Sequence, residues 1–155
     1  MKYLVVLLLL CFGPSNGQNL YTNEPDIVYP ILEEFIAENF KNKINTFAKL
    51  NEIDSIQVVW LDYPLYGLHI KKGNHHTIKI HKWLLQDPRR FERTLKHELG
   101  HVFNLKHITS KKDSKDFLEL MSDVHYEEVS HYYKDNVIWQ QVNSNYYKSL
   151  QKSIK

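Results

Sequence analysis

The chain has 155 residues, with 20 Lys and Arg against 18 Asp and Glu, so its formal net charge is +2. That length predicts one domain. The near balance of positive and negative charge argues against a protein whose main function is to bind nucleic acid. The single cysteine excludes both a disulfide framework and a zinc site built from thiolates. Histidine is unusually abundant, with 9 residues, and imidazole is the commonest metal ligand.

The first 17 residues have the pattern of a signal peptide. A positively charged start precedes nine apolar residues, Leu4–Phe12, and a Gly-Pro pair ends this run. Small residues at Ser15 and Gly17 favour cleavage before Gln18. Nine residues are too few to span a membrane, which needs about 20. We therefore expect an exported protein, secreted or periplasmic, whose mature part, residues 18–155, is a single domain.

Cys11 offers a second interpretation of the same segment, as the lipid-modified N-terminus of a lipoprotein. Leu10 disfavours it, because lipoprotein signals usually carry a small residue immediately before the cysteine. Cleavage before Gln18 leaves a mature chain without cysteine. Such a chain must be stabilised by its hydrophobic core or by a metal ion.

The mature chain begins with a segment typical of an amphipathic helix. From about Asp26 to Leu50, apolar residues recur at steps of three and four, which places them on one helix face. Pro30 is expected in the first turn, where its missing N–H is tolerated. Runs rich in β-branched and aromatic residues then predict three strands, over Ser55–Tyr63, Tyr66–Lys71 and His75–Lys82.

The last predicted strand alternates apolar and polar residues, so we expect one of its faces to contact solvent. Ile78 and Ile80 define the apolar face. His81 lies on the polar face, and His75-His76 lies beside the turn through residues 72–74. Because no carboxylate pattern accompanies these three histidines, we interpret them as solvated residues and not as a second metal site.

A second helix is predicted to begin at Asp87-Pro88, with Asp as the N-cap and Pro at the first helical position. It should end near Phe103–Asn104, since Asn tolerates the left-handed turn that closes a helix. Residues 105–122 are expected to form an irregular loop. Ser122-Asp123 can cap a final helix that runs to about Leu150. The order of elements predicts an α+β domain, a small sheet with helices packed on it.

The sequence His97-Glu98-Leu99-Gly100-His101 has the form H-E-x-x-H and lies in the second predicted helix. Residues four apart share a helix face, so both imidazoles can reach one metal ion, and Glu98 can take a proton from a metal-bound water. A catalytic zinc site usually has three protein ligands. His107 is the candidate third ligand, because a sharp turn at Asn104 would bring it back. The alternative is that these are unconnected surface or core histidines.

The segment His97–His107 (HELGHVFNLKH) resembles the metzincin zinc-peptidase signature H-E-x-x-H-x-x-G-x-x-H. Leu120-Met121-Ser122 is similar to the metzincin Met-turn. The residue pattern of the two segments together is most similar to that of matrixin-like members. The resemblance implies one catalytic Zn²⁺, with Glu98 as general base and Met121 as an apolar floor beneath the metal. The zinc ligands that it implies are His97, His101 and His107.

The same resemblance implies a zincin-like, metzincin-type fold. Its parts are a small mixed twisted sheet, an N-terminal helix, an active-site helix, the Met-turn and a C-terminal helix. A peptide substrate would lie extended along an edge strand, for which Tyr66–Lys71 is the candidate. The sequence departs from the family pattern at three positions. Asn104 replaces Gly, Ile108 follows the third His, and Asp123 stands where some members have a ligating Tyr.

These observations predict an exported zinc-dependent metalloendopeptidase that hydrolyses peptide bonds through a zinc-bound water, with Glu98 as general base. The alternative is a secreted, non-catalytic zinc-containing binding or inhibitory module on a metzincin scaffold. A zinc enzyme that cleaves a different amide is a third hypothesis. Peptides or proteins are the expected partners. No nucleic acid and no membrane span are expected, and the oligomeric state is left open.

Overall fold

The structure, a computed structural model, describes residues 20–62, 64–107, 121 and 136–153. The predicted signal peptide and most of the segment between His107 and the last helix lie outside these residues. A short 3-10 helix, Lys82–Gln86, joins the last strand to the third helix. The other elements in chain order are β1 (Tyr21–Thr22), α1 (Pro25–Lys41), α2 (Phe47–Leu50), β2 (Ile53–Val59), β3 (Gly67–Lys72), β4 (His75–His81), α3 (Pro88–Val102) and α4 (Asn136–Ser153).

The four strands form one mixed sheet in the order β1-β2-β4-β3. β1 is parallel to β2 and β2 is parallel to β4, whereas β3 is antiparallel to β4. β3 therefore forms an edge of the described sheet, in a register that runs from Gly67 opposite Ile80 to Lys72 opposite His75. The prediction of an α+β domain with a small mixed sheet is confirmed at this level.

The first predicted helix is two helices in the structure, so the continuous helix from 26 to 50 is wrong. α1 ends at Lys41, and Lys43 has a φ of 58°, in the left-handed region that stops a helix. Ile44 N–H then donates to Asn39 O over 2.9 Å and closes the turn. Pro30 also lies inside α1 and not in its first turn, because the helix begins earlier, with Pro25 as its first residue.

One hydrophobic core joins the sheet to the helices. Phe35 of α1 lies near its middle, and its ring centroid is 5.8 Å from that of Phe103 and 6.3 Å from that of Tyr146. β4 contributes alternate residues, β2 contributes apolar residues on both sides of an irregularity in its register, and α3 contributes one face. The fully buried members include Ile56, Ile78, Ile80, Phe91, Leu95 and Leu99. This packing fixes α3 between the sheet and α4.

Helix α4 agrees in part with the predicted final helix. It extends to Ser153, past the expected end at Leu150, and its expected start at Ser122-Asp123 lies outside the described residues. Val142, Tyr146 and Leu150 are buried at steps of four, as amphipathic packing requires. Within the residues that the structure describes, no helix is long and apolar enough to cross a membrane.

Candidate metal centre

Helix α3 begins and ends where the sequence indicates. The Asp87 side chain accepts a hydrogen bond from Arg90 N–H over 3.1 Å, and Pro88 is the first helical residue. At the other end, Asn104 has a φ of 62°. Asn104 N–H donates to His101 O and Leu105 N–H donates to Gly100 O, which is the Schellman pattern of helix termination. Asn104 thus closes the helix in the left-handed conformation that the sequence predicts.

The left-handed turn at Asn104 brings His107 back to the histidines of the helix. His107 Nε2 lies 3.0 Å from His97 Nε2 and 3.0 Å from His101 Nε2. The three ligand atoms all lie within 4.8 Å of one another. Zinc at about 2.0–2.1 Å from each nitrogen of a tetrahedral site would separate neighbouring nitrogens by about 3.3 Å. The three imidazoles therefore fit a zinc ion after small adjustments, and they leave one coordination position for a water.

The orientation of His101 is fixed by the same turn. His101 Nδ1 lies 2.9 Å from Leu105 O, a carbonyl that can only accept, so Nδ1 carries the proton. The lone pair of the ring is then on Nε2, the atom that faces His107. A second partner that fixes the tautomer of a ligand histidine is typical of metal centres.

Glu98 lies between the two helix histidines in sequence and is buried beneath strand β3. Burial raises the pKa of its carboxyl group to about 8. Gly67 provides the space for this carboxylate, because a Cβ built on Gly67 would lie 2.9 Å from Glu98 Cδ and 2.8 Å from Thr94 Cγ2. Sequence reasoning did not identify Gly67, since its close approach to Glu98 appears only in three dimensions.

A cleft of about 580 Å³ lies above the histidines. α3 and the turn after it provide one wall, with His97, Glu98, His101 and His107. The other wall is the segment from Pro64 to His69, which includes the first half of β3. The predicted strand Tyr66–Lys71 is thus present as β3, Gly67–Lys72, at the edge of the sheet and beside the cleft.

Met121 packs against α3, next to the candidate ligand His101. It is buried, and a Cβ built on Gly100 would lie 2.5 Å from Met121 Sδ and 3.2 Å from Met121 Cε. Gly100 immediately precedes His101. Met121 therefore lies against the helix backbone that carries the histidines, while its neighbours Leu120 and Ser122 lie outside the described residues.

Helix α3 is also anchored immediately before His97, through a buried lysine. Lys96 Nζ lies 2.6 Å from Glu92 Oε1, 2.9 Å from Glu34 Oε1 and 3.1 Å from Asn143 Oδ1. Tyr146 O–H donates to Lys96 O over 2.5 Å. These contacts join α3 to α1 and α4 one residue before the first candidate ligand, and sequence reasoning missed them.

One of the histidines expected to be solvated is buried. His76 is 1% exposed, and its Nδ1 lies 2.6 Å from His69 Nε2. Its position follows from the period of two that also buries Ile78 and Ile80, so the signal was present in the sequence. His75 is exposed beside Asp54, and His81 is half-buried. The expectation for His76 was therefore wrong.

His69, which sequence reasoning did not single out, connects this buried histidine to the metal centre. Its ring is nearly parallel to that of His101, at 22° and a centroid distance of 6.0 Å. Burial, followed by the charge of His76, lowers the pKa of His69 to about 4. His69 is thus neutral at pH 7, so it adds no positive charge beside the three candidate ligands.

A scan of protein-family models, a search of curated proteins and a search of solved structures gave no match to this chain.

Proposed function

We propose that the protein is a zinc-dependent metalloendopeptidase of metzincin type. The observation that carries the proposal is the convergence of three imidazole nitrogens beside a buried glutamate, in a cleft whose other wall includes the edge strand of the described sheet. His97, His101 and His107 would hold the ion, and Glu98 is the proposed general base.

A bound zinc ion would supply Lewis acidity, which polarises the scissile carbonyl and acidifies a water. The protein's own contribution is the proton transfer. Glu98 takes a proton from the attacking water and delivers it to the leaving amine. Burial raises the pKa of the carboxyl group to about 8 in the absence of metal, and this favours the protonated form that results when Glu98 takes up the proton.

The substrate class follows from the strand edge. β3 pairs with β4 on one side, and in the described sheet its other side carries no strand. Unpaired backbone N–H and C=O groups bind an extended peptide as an additional strand. Gly67 brings this edge next to the Glu98 carboxylate. A peptide bound on β3 would therefore place a backbone amide above the three histidines.

The glutamate favours an enzyme over a non-catalytic binding or inhibitory module. A structural zinc site needs only its ligands, and Glu98 is not one of the converging residues. Burying a carboxylate disfavours its charged form, as its raised pKa shows. Retaining such a residue next to the metal ligands is explained by catalysis and not by metal binding.

Two further features support the metzincin type of fold. In the sheet, β1, β2 and β4 pair in parallel, and the edge strand β3 is antiparallel to β4. Helix α3 ends in a left-handed turn that leads to the third histidine. Met121 packs against Gly100, the residue immediately before His101. The proposal includes export to a secreted or periplasmic location, on the pattern of residues 1–17, with 18–155 as the mature domain.

The test is cleavage of a complex peptide pool by residues 18–155, read by mass spectrometry, with zinc content measured in parallel. Glu98→Ala is the matched variant. We expect it to retain zinc and to lose hydrolysis by several orders of magnitude, since it keeps the ligands and removes the proton transfer. Equal activity of both proteins would refute the mechanism. Full zinc loading without cleavage by the unmodified protein would favour the binding module.

A further inference from the structure

Large apolar side chains are exposed on the surface that leads into one end of the cleft. Trp60 is 71% exposed, Leu65 is 45% exposed and Trp83 is 44% exposed. Tyr66, half-buried, lies beside them. We call these four residues the aromatic surface. An exposed apolar group of this kind marks an interaction site more often than a scattered single residue does.

The aromatic surface is held in place by specific contacts. The Arg90 guanidinium, itself buried, lies 4.0 Å from the Tyr66 ring centroid and 5.0 Å from that of Trp83. Such cation–π contacts fix the two rings relative to each other. A surface whose side chains are already ordered loses little conformational entropy when a ligand binds.

His81 completes this arrangement from strand β4. Its backbone N–H donates to Tyr66 O over 2.8 Å, and its Nδ1 accepts from Trp83 N–H over 3.0 Å. The Trp60 ring meets the His81 ring edge-on, at a centroid distance of 5.4 Å. The ends of β2 and β4 and the start of β3 thus converge on one place.

The aromatic surface is continuous with the cleft. Leu65 and Tyr66 line the cleft, and Gly67, the next residue, lies against Glu98. Leu65 precedes β3 by two residues, with a bend at Tyr66 between, so its Cα lies at most about 7 Å from that of Gly67. A peptide that follows β3 past the metal centre therefore reaches the aromatic surface about two or three residues from the scissile bond.

We propose that the aromatic surface is a specificity subsite for large apolar side chains, aromatic or leucine, of the peptide substrate. It selects them at the second or third position from the cleaved bond, on one side of that bond only. This inference rests on the proposed peptidase function and specifies its substrate class. The occupant is the substrate because the surface opens into the cleft where the peptide must lie.

The test measures cleavage of two peptides that are identical except for one residue, which is Phe in one and Ala in the other. That residue stands at the position where the cleaved peptides of the pool show a preference. We expect kcat/KM to be about 10- to 100-fold higher for the Phe peptide, the usual range for filling an apolar pocket. Trp83→Ala and Leu65→Ala should each bring this ratio down towards one. Phe40→Ala is the control, since Phe40 is also exposed but belongs neither to the aromatic surface nor to the cleft lining. Thermal unfolding of each variant verifies that it is folded.

Calorimetry with the Glu98→Ala protein separates this inference from the proposed function. Binding of the Phe peptide in preference to the Ala peptide, abolished by a second change Trp83→Ala, would support the subsite even if no turnover is found. Equal binding of the two peptides, or a Phe-to-Ala ratio unchanged in both variants, would overturn it. Concentration-dependent dimerisation lost in Trp60→Ala would also overturn it, by assigning the surface to a second copy of the chain.

Discussion

The backbone of Gly67 packs directly against the carboxylate of Glu98, with no space for a side chain between them. A Cβ on Gly67 would lie 2.9 Å from Glu98 Cδ, and Thr94 Cγ2 closes the other side at 2.8 Å. The edge strand that is proposed to bind the substrate and the residue proposed to move the proton are thus in contact. The backbone of Gly67 and the Glu98 carboxylate can come this close because residue 67 has no side-chain methyl group.

Gly67→Ala should therefore lower kcat while leaving zinc binding intact. The added methyl group must displace either β3 or the Glu98 carboxylate, and a displacement of about 1 Å in an active site can reduce the rate by about 100-fold. Steady-state kinetics and zinc content measure the two effects separately. Gly73→Asn is the control, because Gly73 lies in the hairpin turn at φ +63° with nothing near its Cβ position, and Asn tolerates that conformation. A Gly67→Ala enzyme with unchanged kcat would refute the positioning role.

Replacing any one of the three candidate ligands by Ala should release zinc. Removing a residue that only hydrogen-bonds to a metal ligand lowers metal affinity by about 10- to 100-fold. We therefore expect His97→Ala, His101→Ala or His107→Ala to lower zinc affinity by at least about 100-fold. Competition with a chelator of known affinity measures the change. His75→Ala serves as the comparison, because His75 is exposed beside Asp54 and away from the triad. Unchanged zinc affinity in the three variants would refute the metal centre.

Glu98→Gln should stabilise the metal-free protein at alkaline pH. The pKa of Glu98 is raised from 4.5 to about 8, so the folded state binds more protons than the unfolded state between these values. The free energy of unfolding contributed by this group therefore falls as the pH rises through that window. The amide does not titrate, so the variant should gain up to a few kcal/mol above pH 8, at about 1.4 kcal/mol per pKa unit, and little near pH 4.5.

Denaturant unfolding of both proteins across that pH range, with chelator present, tests this expectation. The difference between Glu98→Gln and the unmodified protein should grow with pH. Two curves that stay parallel from pH 4.5 to 8.5 would show that Glu98 titrates normally in the folded protein.

Lys96→Met should destabilise the protein by about 3–5 kcal/mol, the usual effect of removing one partner of a buried ion pair. Lys96 is fully buried, and the substitution leaves Glu92 without its cation. Lys41→Met is the matched control, since the Lys41–Glu38 pair is exposed and such pairs contribute about 0–1 kcal/mol. Urea unfolding measures both variants, and similar losses in the two would contradict the structural role of Lys96.

The sequence predicts helix α3 well because its signals are local. Asp87, Pro88 and Asn104 act within one turn of the helix ends, and the structure has them in the expected roles. The histidine triad depends on the same helix and on one turn, so it could be inferred from spacing alone. Local chemistry of this kind does not require knowledge of the rest of the fold.

The errors have different physical origins. The break after Lys41 depends on Lys43 in a left-handed conformation, for which lysine gives no sequence signal. The expectation that His76 is solvated follows from the polarity of histidine. The alternation of the strand, which places His76 on the same face as Ile78 and Ile80, predicts its burial. Two contacts join residues that are far apart in the sequence. Gly67 packs against Glu98 about 30 positions away, and Tyr146 bonds to Lys96 about 50 positions away. Sequence periodicity carries no information on such pairs.

The turn at Asn104 has a consequence for how the site is assembled during folding. It brings together all three candidate ligands from a segment of 11 residues, 97–107, whereas Glu98 is covered only when β3 arrives from some thirty residues upstream. Closing a loop of about ten residues takes only about 10–100 ns, and short loops have a small entropic barrier. Metal capture would therefore depend on one short segment, and an ion bound there would favour the helical turn before the sheet has formed. The proposed catalytic site would be complete only later, when the edge strand docks and closes the cleft.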